Sequence, residues 1–465
     1  MIFKPINDEI INEIKTVIPE NRLVSDFVAF RQYTHDETED LIFTPELVAL
    51  PISVEEVSGL VKICAKYSIP ITPRGAGTGV SGAALATKGG LMISMEKMDK
   101  IVEIDEQNLQ ATVEAGVITE NLIQAAAEKN FLYPVDPASK GSCFIGGNVA
   151  HGSGGARVVK YGTIREYILN LQVVLASGEI IWTGANTLKN SSGYSLTQLF
   201  IGSEGTLGII YQVVVKLLPL PQRDLLLLAS FKSNEDACQA VGAIFRAGIV
   251  PSSLEYMERK AFEWVIAFED VNFTLAENAQ AFLLIELDGN HIAELQAAAE
   301  QVYAVLEENQ SFDVLLADTA DQKEKLWSLR RKMIVSIRSH SIFKEVDTVV
   351  PRASLPELIT GIRRIAKDFG FEVLCFGHAG DGNLHTNIIK GEMSDEDWNF
   401  NLKNGIRKIF ELTISLGGTV SGEHGIGHIQ REYLPIKYSE THIHLMKSIK
   451  QVFDPKGILN PEKIF

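Results

Sequence analysis

The chain has 465 residues, of which 46% are hydrophobic and 22% charged, and its formal net charge is −16. This composition is that of a globular protein, and the length predicts two or three domains, each with its own core. The negative charge excludes nucleic acid and bare anionic membrane as favoured partners, because both repel an acidic surface. For the same reason, an anionic substrate would need a local cationic pocket.

The sequence carries no sign of export or membrane insertion. The N-terminus lacks the basic and then apolar layout of a signal peptide, and no apolar run approaches the ~20 residues of a transmembrane helix. The four cysteines, Cys64, Cys143, Cys238 and Cys375, have no C-x-x-C spacing. This predicts buried thiols and no cysteine-ligated iron–sulfur cluster. We expect a cytoplasmic protein that reaches a membrane, if at all, through a partner.

The N-terminal half is predicted to be rich in short strands. Residues 48–52 form a strand, Ser53 and Glu56 predict a capping box at the start of an amphipathic helix, and residues 69–71 return as a strand. Further strands are predicted over residues 91–95, 101–104, 111–115, 171–176 and 179–182, and a helix over residues 119–130.

A domain boundary is predicted where Pro219 and Pro221 interrupt the chain, which gives domains over residues 1–221 and 222–418 and a C-terminal segment over residues 419–465. In the second domain, strands alternate with long amphipathic helices. This alternation predicts an α+β fold in which helices cover one face of an antiparallel sheet. The strands are predicted over residues 225–231, 282–287 and 372–376, and the helices over residues 235–247, 292–308 and 355–369. A last helix is predicted over residues 440–452, in the C-terminal segment.

Three glycine-rich segments fall within the first domain: PRGAGTGVSG at residues 73–82, IGGNVAHGSGG at 145–155 and GSEGTLGII at 202–210. Glycine lets backbone N–H groups turn toward an anion, so such segments can hold phosphate oxygens. A nicotinamide-type Rossmann fold needs a helix directly after the first segment, but an apolar strand follows there instead. Three backbone-lined walls suit an extended dinucleotide in a cleft.

The segments PRGAGTGVSGAAL, VDPASKGSCFIGGNVAHGSGGARVVKYG and GSEGTLGII resemble the two-lobed FAD domain of the vanillyl-alcohol oxidase / p-cresol methylhydroxylase superfamily, over about residues 42–220. Members with covalent flavin usually carry a histidine in the first loop. This loop has none, so we expect non-covalent FAD, and for His151 a packing or hydrogen-bonding role. The residues implied to hold the pyrophosphate are Arg74, Gly75, Ala76, Gly77, Thr78, Gly79, Ser81 and Gly82. Those implied to line the adenine, ribose and isoalloxazine are Asp136, Ser142, Gly146, Asn148, Gly155 and Ile210.

Two histidines, His378 and His385, flank the turn in HAGDGNLH. Asp381-Gly382 is a favoured two-residue hairpin turn, which would pair the histidines on one face with Cβ atoms ~4.5–5.5 Å apart. The later segment GEHGIG adds Glu423 as a carboxylate, with an imidazole directly after it. Two histidines and one carboxylate with open positions form a common site for zinc or another first-row metal.

The segments HAGDGNLH, SGEHGIG and FDPKGILNPEKIF resemble the C-terminal half of FAD-linked D-2-hydroxy acid dehydrogenases, which act on lactate, glycolate or 2-hydroxyglutarate. The resemblance implies that His378, His385 and Glu423 are metal ligands and that His424 is the general base. Asn460 is implied to return to the flavin site.

The segment LWSLRRKM resembles the arginine-bearing helix of the same family, and Arg330 falls on the position that binds the substrate carboxylate. A planar guanidinium matches a carboxylate bidentately and would supply the local positive charge. In some relatives a lysine downstream of this arginine assists in binding the substrate carboxylate. In this sequence Glu345 occupies the corresponding position, and Lys344 is one residue out of register. Asn383 is a further candidate substrate contact.

We therefore expect FAD-dependent oxidation of a small D-2-hydroxy acid to the 2-oxo acid, assisted by a divalent metal, of which zinc is the first candidate. The alternatives are a non-redox flavoenzyme of the same architecture and a zinc hydrolase that uses the same ligands on a water. The expected partners are the anionic substrate and an external electron acceptor, which is a redox protein or a quinone. A homodimer is the expected assembly.

Overall fold

The structure is a computed structural model that describes residues 3–26 and 30–465. The chain divides into two compact units. The first combines the residues up to Gly154 with Thr163–Leu220 and Glu423–Phe465, and the second combines Gly155–Gly162 with Pro221–Gly422.

Helices and strands alternate along the described chain, which confirms the predicted α+β class. The strands are β1 Leu23–Val24, β2 Leu47–Ala49, β3 Ile71–Arg74, β4 Leu91–Ser94, β5 Ile101–Asp105, β6 Gln110–Glu114, β7 Phe131–Leu132, β8 Ile168–Val174, β9 Ile180–Trp182, β10 Ile209–Lys216, β11 Leu218–Pro219, β12 Arg223–Phe231, β13 Ser253–Glu258, β14 Ala281–Gly289, β15 Ser311–Ala317, β16 Phe343–Val349, β17 Glu372–Gly377 and β18 Asn383–Ile389. The α-helices are Asp8–Ile14, Val54–Tyr67, Thr119–Ala127, Ile145–His151, Val158–Tyr161, Leu196–Phe200, Asn234–Arg246, Arg259–Glu269, Ile292–Glu308, Ala320–Arg331, Met333–His340, Leu355–Phe369, Asp395–Ser415, Leu434–Lys437 and Glu440–Phe453.

The first unit begins with a four-stranded sheet in the order β1-β2-β4-β3, in which β2, β4 and β3 are parallel. The helix Val54–Tyr67 connects β2 to β3. Ser53 caps this helix, because its Oγ accepts the N–H of Glu56 at 3.3 Å. The carboxylate of Glu56 accepts the N–H of Ile52 and pairs with Arg22. The reciprocal bond of the predicted capping box, to the N–H of Ser53, is replaced by these contacts.

The rest of the first unit surrounds a five-stranded antiparallel sheet in the order β5-β6-β10-β8-β9. A tight turn connects β8 to β9: Gly178 has a φ of +82° and donates its N–H to the carbonyl of Leu175 at 2.8 Å. β10, at the centre of this sheet, starts at Ile209, so the last two residues of the third glycine-rich segment belong to it.

The second unit contains a seven-stranded antiparallel sheet in the order β15-β12-β14-β13-β17-β18-β16. The prediction that helices cover one face of this sheet is wrong. Residues 225–231 of β12 are all buried, and successive side chains of a strand point to opposite faces, so both faces are covered. On one face, an apolar cluster joins the sheet to the helices Arg259–Glu269, Ala320–Arg331 and Met333–His340. The helices Asn234–Arg246, Ile292–Glu308 and Leu355–Phe369 also contact the sheet.

Two further expectations concern membrane insertion and thiols. Within residues 3–26 and 30–465, no helix combines the length and the apolar character that crossing a membrane would require. All four cysteines are free and buried, as predicted from their spacing.

Candidate functional site

The first glycine-rich segment starts where β3 ends, at Arg74. The buried guanidinium of Arg74 donates to the carbonyls of Gln32, His35 and Ala84 at 2.8–3.3 Å. Gly77, with a φ of +74°, lies so close to this guanidinium that a Cβ there would clash with it. The side chain of Arg74 therefore holds the loop through backbone carbonyls of the protein. The groups of the loop that remain for a ligand are those of its backbone.

The three glycine-rich segments line a pocket that opens to solvent within the first unit. Four residues predicted to bind FAD, Arg74, Gly75, Gly146 and Ile210, line the pocket. At Gly146 a Cβ would stand 2.6 Å from the Cβ of Ala115, so glycine is required for the close approach of the two walls.

Buried polar atoms of the first unit, including one on His151 in the pocket lining, favour a polar ligand such as FAD. The Nδ1 of His151 lies 3.1 Å from the carbonyl of Gly147, while its Nε2 is buried and has no hydrogen-bond partner among the described residues. The same holds for Ser81 Oγ and Asn460 Oδ1. A buried polar atom without a partner costs about 1–3 kcal/mol, so a ligand that pairs with these atoms would stabilise the site.

The C-terminal segment belongs to the first unit and contacts the pocket wall there. Asn460 donates through Nδ2 to the carbonyls of Ala83 and Glu204 at 2.9 and 2.7 Å. The carboxylate of Glu204, which lines the pocket, accepts the N–H groups of Ile426 and Gly427. Burial raises the pKa of Glu204, and these two N–H donors oppose the rise.

The other residues predicted to bind FAD do not line this pocket. Asn148 is buried and donates to Thr119 Oγ1 at 2.6 Å, and Ser142 donates to the carbonyl of Ser139. Gly155 falls in the second unit, at the start of Gly155–Gly162. The remaining members, in the first unit but outside the pocket lining given above, are Ala76, Gly77, Thr78, Gly79, Gly82 and Asp136.

In the second unit, β17 and β18 bring His378 and His385 together, but through a different turn from the predicted one. The connection is a five-residue loop with a 3-10 turn over Ala379–Asp381, and Phe376 rather than His378 pairs with His385. The two imidazole centroids are nevertheless 5.4 Å apart, and a nitrogen of each ring lies within 4.8 Å of one in the other. The predicted proximity is confirmed and the predicted register is wrong.

Each of these histidines has a carboxylate beside its Nδ1. Glu255 Oε1, on β13, lies 2.7 Å from His378 Nδ1, and Glu345 Oε1, on β16, lies 3.2 Å from His385 Nδ1. Glu345 shares its strand with Lys344, whose Cα partner is Ile388. At His378, the hydrogen bond from Nδ1 to the carboxylate fixes the tautomer and orients the ring so that Nε2 is available to a metal.

Arg330 contacts Glu255, the same carboxylate that bonds His378. Its Nη2 is 2.6 Å from Glu255 Oε2, and its guanidinium stands over the ring of Phe376 at 4.9 Å. The arginine is buried, and its Nε has no hydrogen-bond partner in the described part of the chain. Burial alone would raise the pKa of Glu255, but the charges of His378 and Arg330 outweigh burial and lower it.

Asn383 and Gly422 are both held by Asp347. Asn383 donates through Nδ2 to Asp347 Oδ1 at 2.7 Å and to the carbonyl of Thr348 at 2.9 Å. The N–H of Gly422 donates to Asp347 Oδ2 at 2.8 Å. Gly422 is the last residue of the second unit, and the predicted residues Glu423 and His424 begin the last part of the first.

Comparison with known proteins gives the family. Residues 220–464 match the family model described as FAD linked oxidases, C-terminal domain, and residues 45–184 match that of the FAD binding domain. The chain belongs to the FAD-linked oxidases. It is therefore an FAD-linked oxidoreductase, as predicted.

Similar proteins span nearly the whole of this FAD-linked oxidase. Glycolate oxidase subunit GlcD of Bacillus subtilis (strain 168) is 38% identical over 93% of this chain and 92% of its own. D-lactate dehydrogenase of Anaerostipes hadrus is 37% identical over 99% and 98%. The solved structure of p-cresol methylhydroxylase with substrate bound has a TM-score of 0.80 at 17% identity and covers 98% of this chain and 96% of that one. The last match confirms the predicted fold family.

Sequence reasoning about this oxidase missed Glu255. Its strand reads SLEYME, and a charged residue in the middle of a buried strand was the only local signal of a site. Its partners Arg330 and His378 are 75 and 123 positions away. Such long-range pairing follows from sheet order, which one sequence does not reveal.

Proposed function

We propose that this FAD-linked oxidase oxidises a small D-2-hydroxy acid, such as D-lactate, or glycolate, to the 2-oxo acid. One observation carries the proposal: two histidines, each with a carboxylate beside its Nδ1, lie next to a buried arginine. An arginine suits a carboxylate, and paired histidines suit a divalent cation. The relatives named glycolate oxidase and D-lactate dehydrogenase support the same substrate class.

We infer that His378 and His385 hold a divalent metal, with Zn²⁺ the best match to imidazole and carboxylate ligands. The donor set fits this ion, because the carboxylate at His378 Nδ1 leaves Nε2 of that ring for the metal, and the ring of His385 lies 5.4 Å away, centroid to centroid. Glu423 is the proposed third ligand. It directly follows Gly422, which is tied to Asp347, and Asp347 is the strand partner of His385.

The roles of the polar residues follow from their chemistry. Arg330 would bind the carboxylate of the substrate through its unpaired Nε–H and its planar fork. Asn383 and Lys344 are proposed as further substrate contacts. His424 would take the proton of the substrate hydroxyl as general base. When bound, FAD supplies a hydride acceptor and the metal supplies Lewis-acid stabilisation of an alkoxide.

The first-unit pocket is the proposed FAD site, with the flavin held non-covalently. His151 supports this, because the carbonyl of Gly147 fixes its Nδ1–H as a donor and leaves Nε2 as an acceptor for a ligand N–H. The backbone of residues 74–79, with Ser81 and Gly82, would hold the pyrophosphate. Asn460 would add its Oδ1 to the flavin site.

The electron acceptor is proposed to be a partner redox protein or a quinone. The relative described as a subunit of glycolate oxidase supports a protein partner. We also propose a cytoplasmic homodimer, which gel filtration with light scattering would test.

The test of this function is anaerobic reduction of the bound flavin. The purified protein is mixed with D-lactate, L-lactate, glycolate and D-2-hydroxyglutarate, and its visible absorbance is followed while metal content is measured in the same sample. We expect rapid bleaching by at least one D-acid or glycolate and none by L-lactate. A flavin that no hydroxy acid reduces, or that both lactate enantiomers reduce equally, would refute the proposal.

A further inference from the structure

Glu255 touches two of the proposed functional groups at once. β13 and β17 pair Tyr256 with Gly377 and Met257 with Phe376, so the next position along this register sets Glu255 beside His378. Its two carboxylate oxygens then divide between partners: Oε1 lies 2.7 Å from His378 Nδ1 and Oε2 lies 2.6 Å from Arg330 Nη2. The side chain is 1% exposed. Water therefore cannot replace either contact.

Each contact fixes one property of its partner. A carboxylate at Nδ1 makes that nitrogen the donor, so the lone pair of His378 is on Nε2 and the ring cannot turn over without losing the bond. At Arg330, the Glu255 carboxylate contacts Nη2 on the edge of the guanidinium, and the plane of the guanidinium stands over the ring of Phe376. A single side chain, Glu255, thus contacts both the proposed metal ligand and the proposed carboxylate clamp and restricts the rotamer of each.

The charges also balance. Glu255 and Arg330 together are neutral, so the arginine brings shape and hydrogen bonds to an incoming carboxylate but little net charge. A buried ion pair is retained more readily where it fixes geometry than where it adds stability. This is the pattern expected of a residue that positions others.

We propose that Glu255 is a positioning residue that holds His378 and Arg330 in one geometry and so couples cation binding to binding of the substrate carboxylate. The proposal rests on the proposed function for the role of Arg330, while its cation-binding half stands on Glu255 and His378 alone. Glu255 itself touches neither the substrate nor the reacting atoms.

The test compares Glu255→Gln with Glu258→Gln in the flavin-bound protein. Glu258 is a matched control, because it lies on the same strand, is also buried, and pairs with Arg363. Zn²⁺ affinity is measured by competition with a coloured chelator. We expect the Glu255 variant to bind Zn²⁺ about 10–100-fold more weakly, the usual worth of such a partner, and the control to match the wild type. In steady-state assays, the KM for D-lactate should rise in the Glu255 variant alone.

A second variant, Glu255→Asp, covers the case in which glutamine prevents folding. It keeps the buried charge but draws it back from its partners, so Zn²⁺ affinity should fall by less than with glutamine. Unchanged Zn²⁺ affinity in the folded variants, or an equal fall in the Glu258 control, would overturn the proposal. If the wild type binds Zn²⁺ but no hydroxy acid reduces its flavin, the proposed function is refuted. The role of Glu255 in cation binding is then still tested by the Zn²⁺ affinities of the variants.

Discussion

Arg330 and Glu255 form a buried ion pair with 2.6 Å between Nη2 and Oε2, and the exposed fractions of their side chains are 8% and 1%. Charges this far from water are tolerated only when they are paired and hydrogen-bonded. Under the proposed function, stability and substrate binding would therefore depend on the same two side chains. A variant of either must be judged by both measures.

The pair predicts a specific pattern of stability. Arg330→Met should lower the free energy of unfolding by about 3–5 kcal/mol, because it leaves the Glu255 carboxylate buried without one of its two cationic partners. The double variant Arg330→Met/Glu255→Gln should recover much of that loss, since no uncompensated charge remains. Denaturant unfolding of the three proteins measures both effects. A single variant as stable as the wild type would show that the two residues are not paired.

Removal of the proposed base should affect turnover and spare the cofactor. His424→Ala is expected to retain FAD and to lower kcat by about 10²–10⁴-fold, the range that general bases contribute. His444, exposed on the helix Glu440–Phe453, offers a control, and His444→Ala should keep normal kcat. Flavin content by absorbance and initial rates with D-lactate test the two variants. Near-normal turnover in His424→Ala would remove that residue from the role.

The first glycine-rich loop should tolerate no side chain at Gly77. Its φ of +74° disfavours any Cβ, and the guanidinium that the Cβ would meet is held by three backbone carbonyls. Gly77→Ala should cost roughly 2 kcal/mol or more in loop geometry, which is more than tenfold in FAD affinity. Gly193→Ala is the control, because Gly193 also has a positive φ but no neighbour within 4 Å. Both Kd values for FAD come from fluorescence quenching on the apoprotein; equal values for the two variants would contradict the assigned loop geometry.

Lys463 predicts a pH dependence of stability. Burial lowers its pKa to about 8, below the value of about 10.4 for an unfolded chain. The unfolded state therefore binds more protons between these two values, and stability should rise as the pH rises through that window. The gain relative to Lys463→Met should reach roughly 3 kcal/mol, because a tenfold difference in proton affinity between the two states corresponds to about 1.4 kcal/mol. Denaturant unfolding of both proteins at pH 7 and pH 10 tests this, and a pH-independent difference between them would contradict it.

Elements that depend on local periodicity were predictable from the sequence. The helices Ile292–Glu308 and Leu355–Phe369 begin and end at the predicted residues, because their apolar residues recur at a helical spacing. The absence of a helix after the first glycine-rich segment, which favoured FAD over a nicotinamide cofactor, was also a local property.

Elements that depend on distant contacts were not predictable. Asp381-Gly382 was expected to form a two-residue hairpin turn, which in its common form needs a positive φ at both residues. Gly382 has a φ of +86°, but Asp381 instead ends a 3-10 turn over Ala379–Asp381. The strand register therefore differs by two residues from the predicted one. The carbonyl of Val350, from a separate segment, lies so close to Gly382 that any Cβ would clash with it. The edge strand β16, which carries Glu345, likewise depends on pairing with β18. No local sequence pattern predicted this strand.

The claim on which the account depends most is that His378 and His385 hold a metal needed for oxidation. The decisive measurement is anaerobic reduction of the flavin by D-lactate before and after metal removal by a chelator, and again after Zn²⁺ is returned. We expect D-lactate to bleach the flavin before metal removal and again after Zn²⁺ is returned, whereas the metal-free protein keeps its bound flavin in the oxidised, absorbing form. Full reduction in metal-free protein would contradict the account.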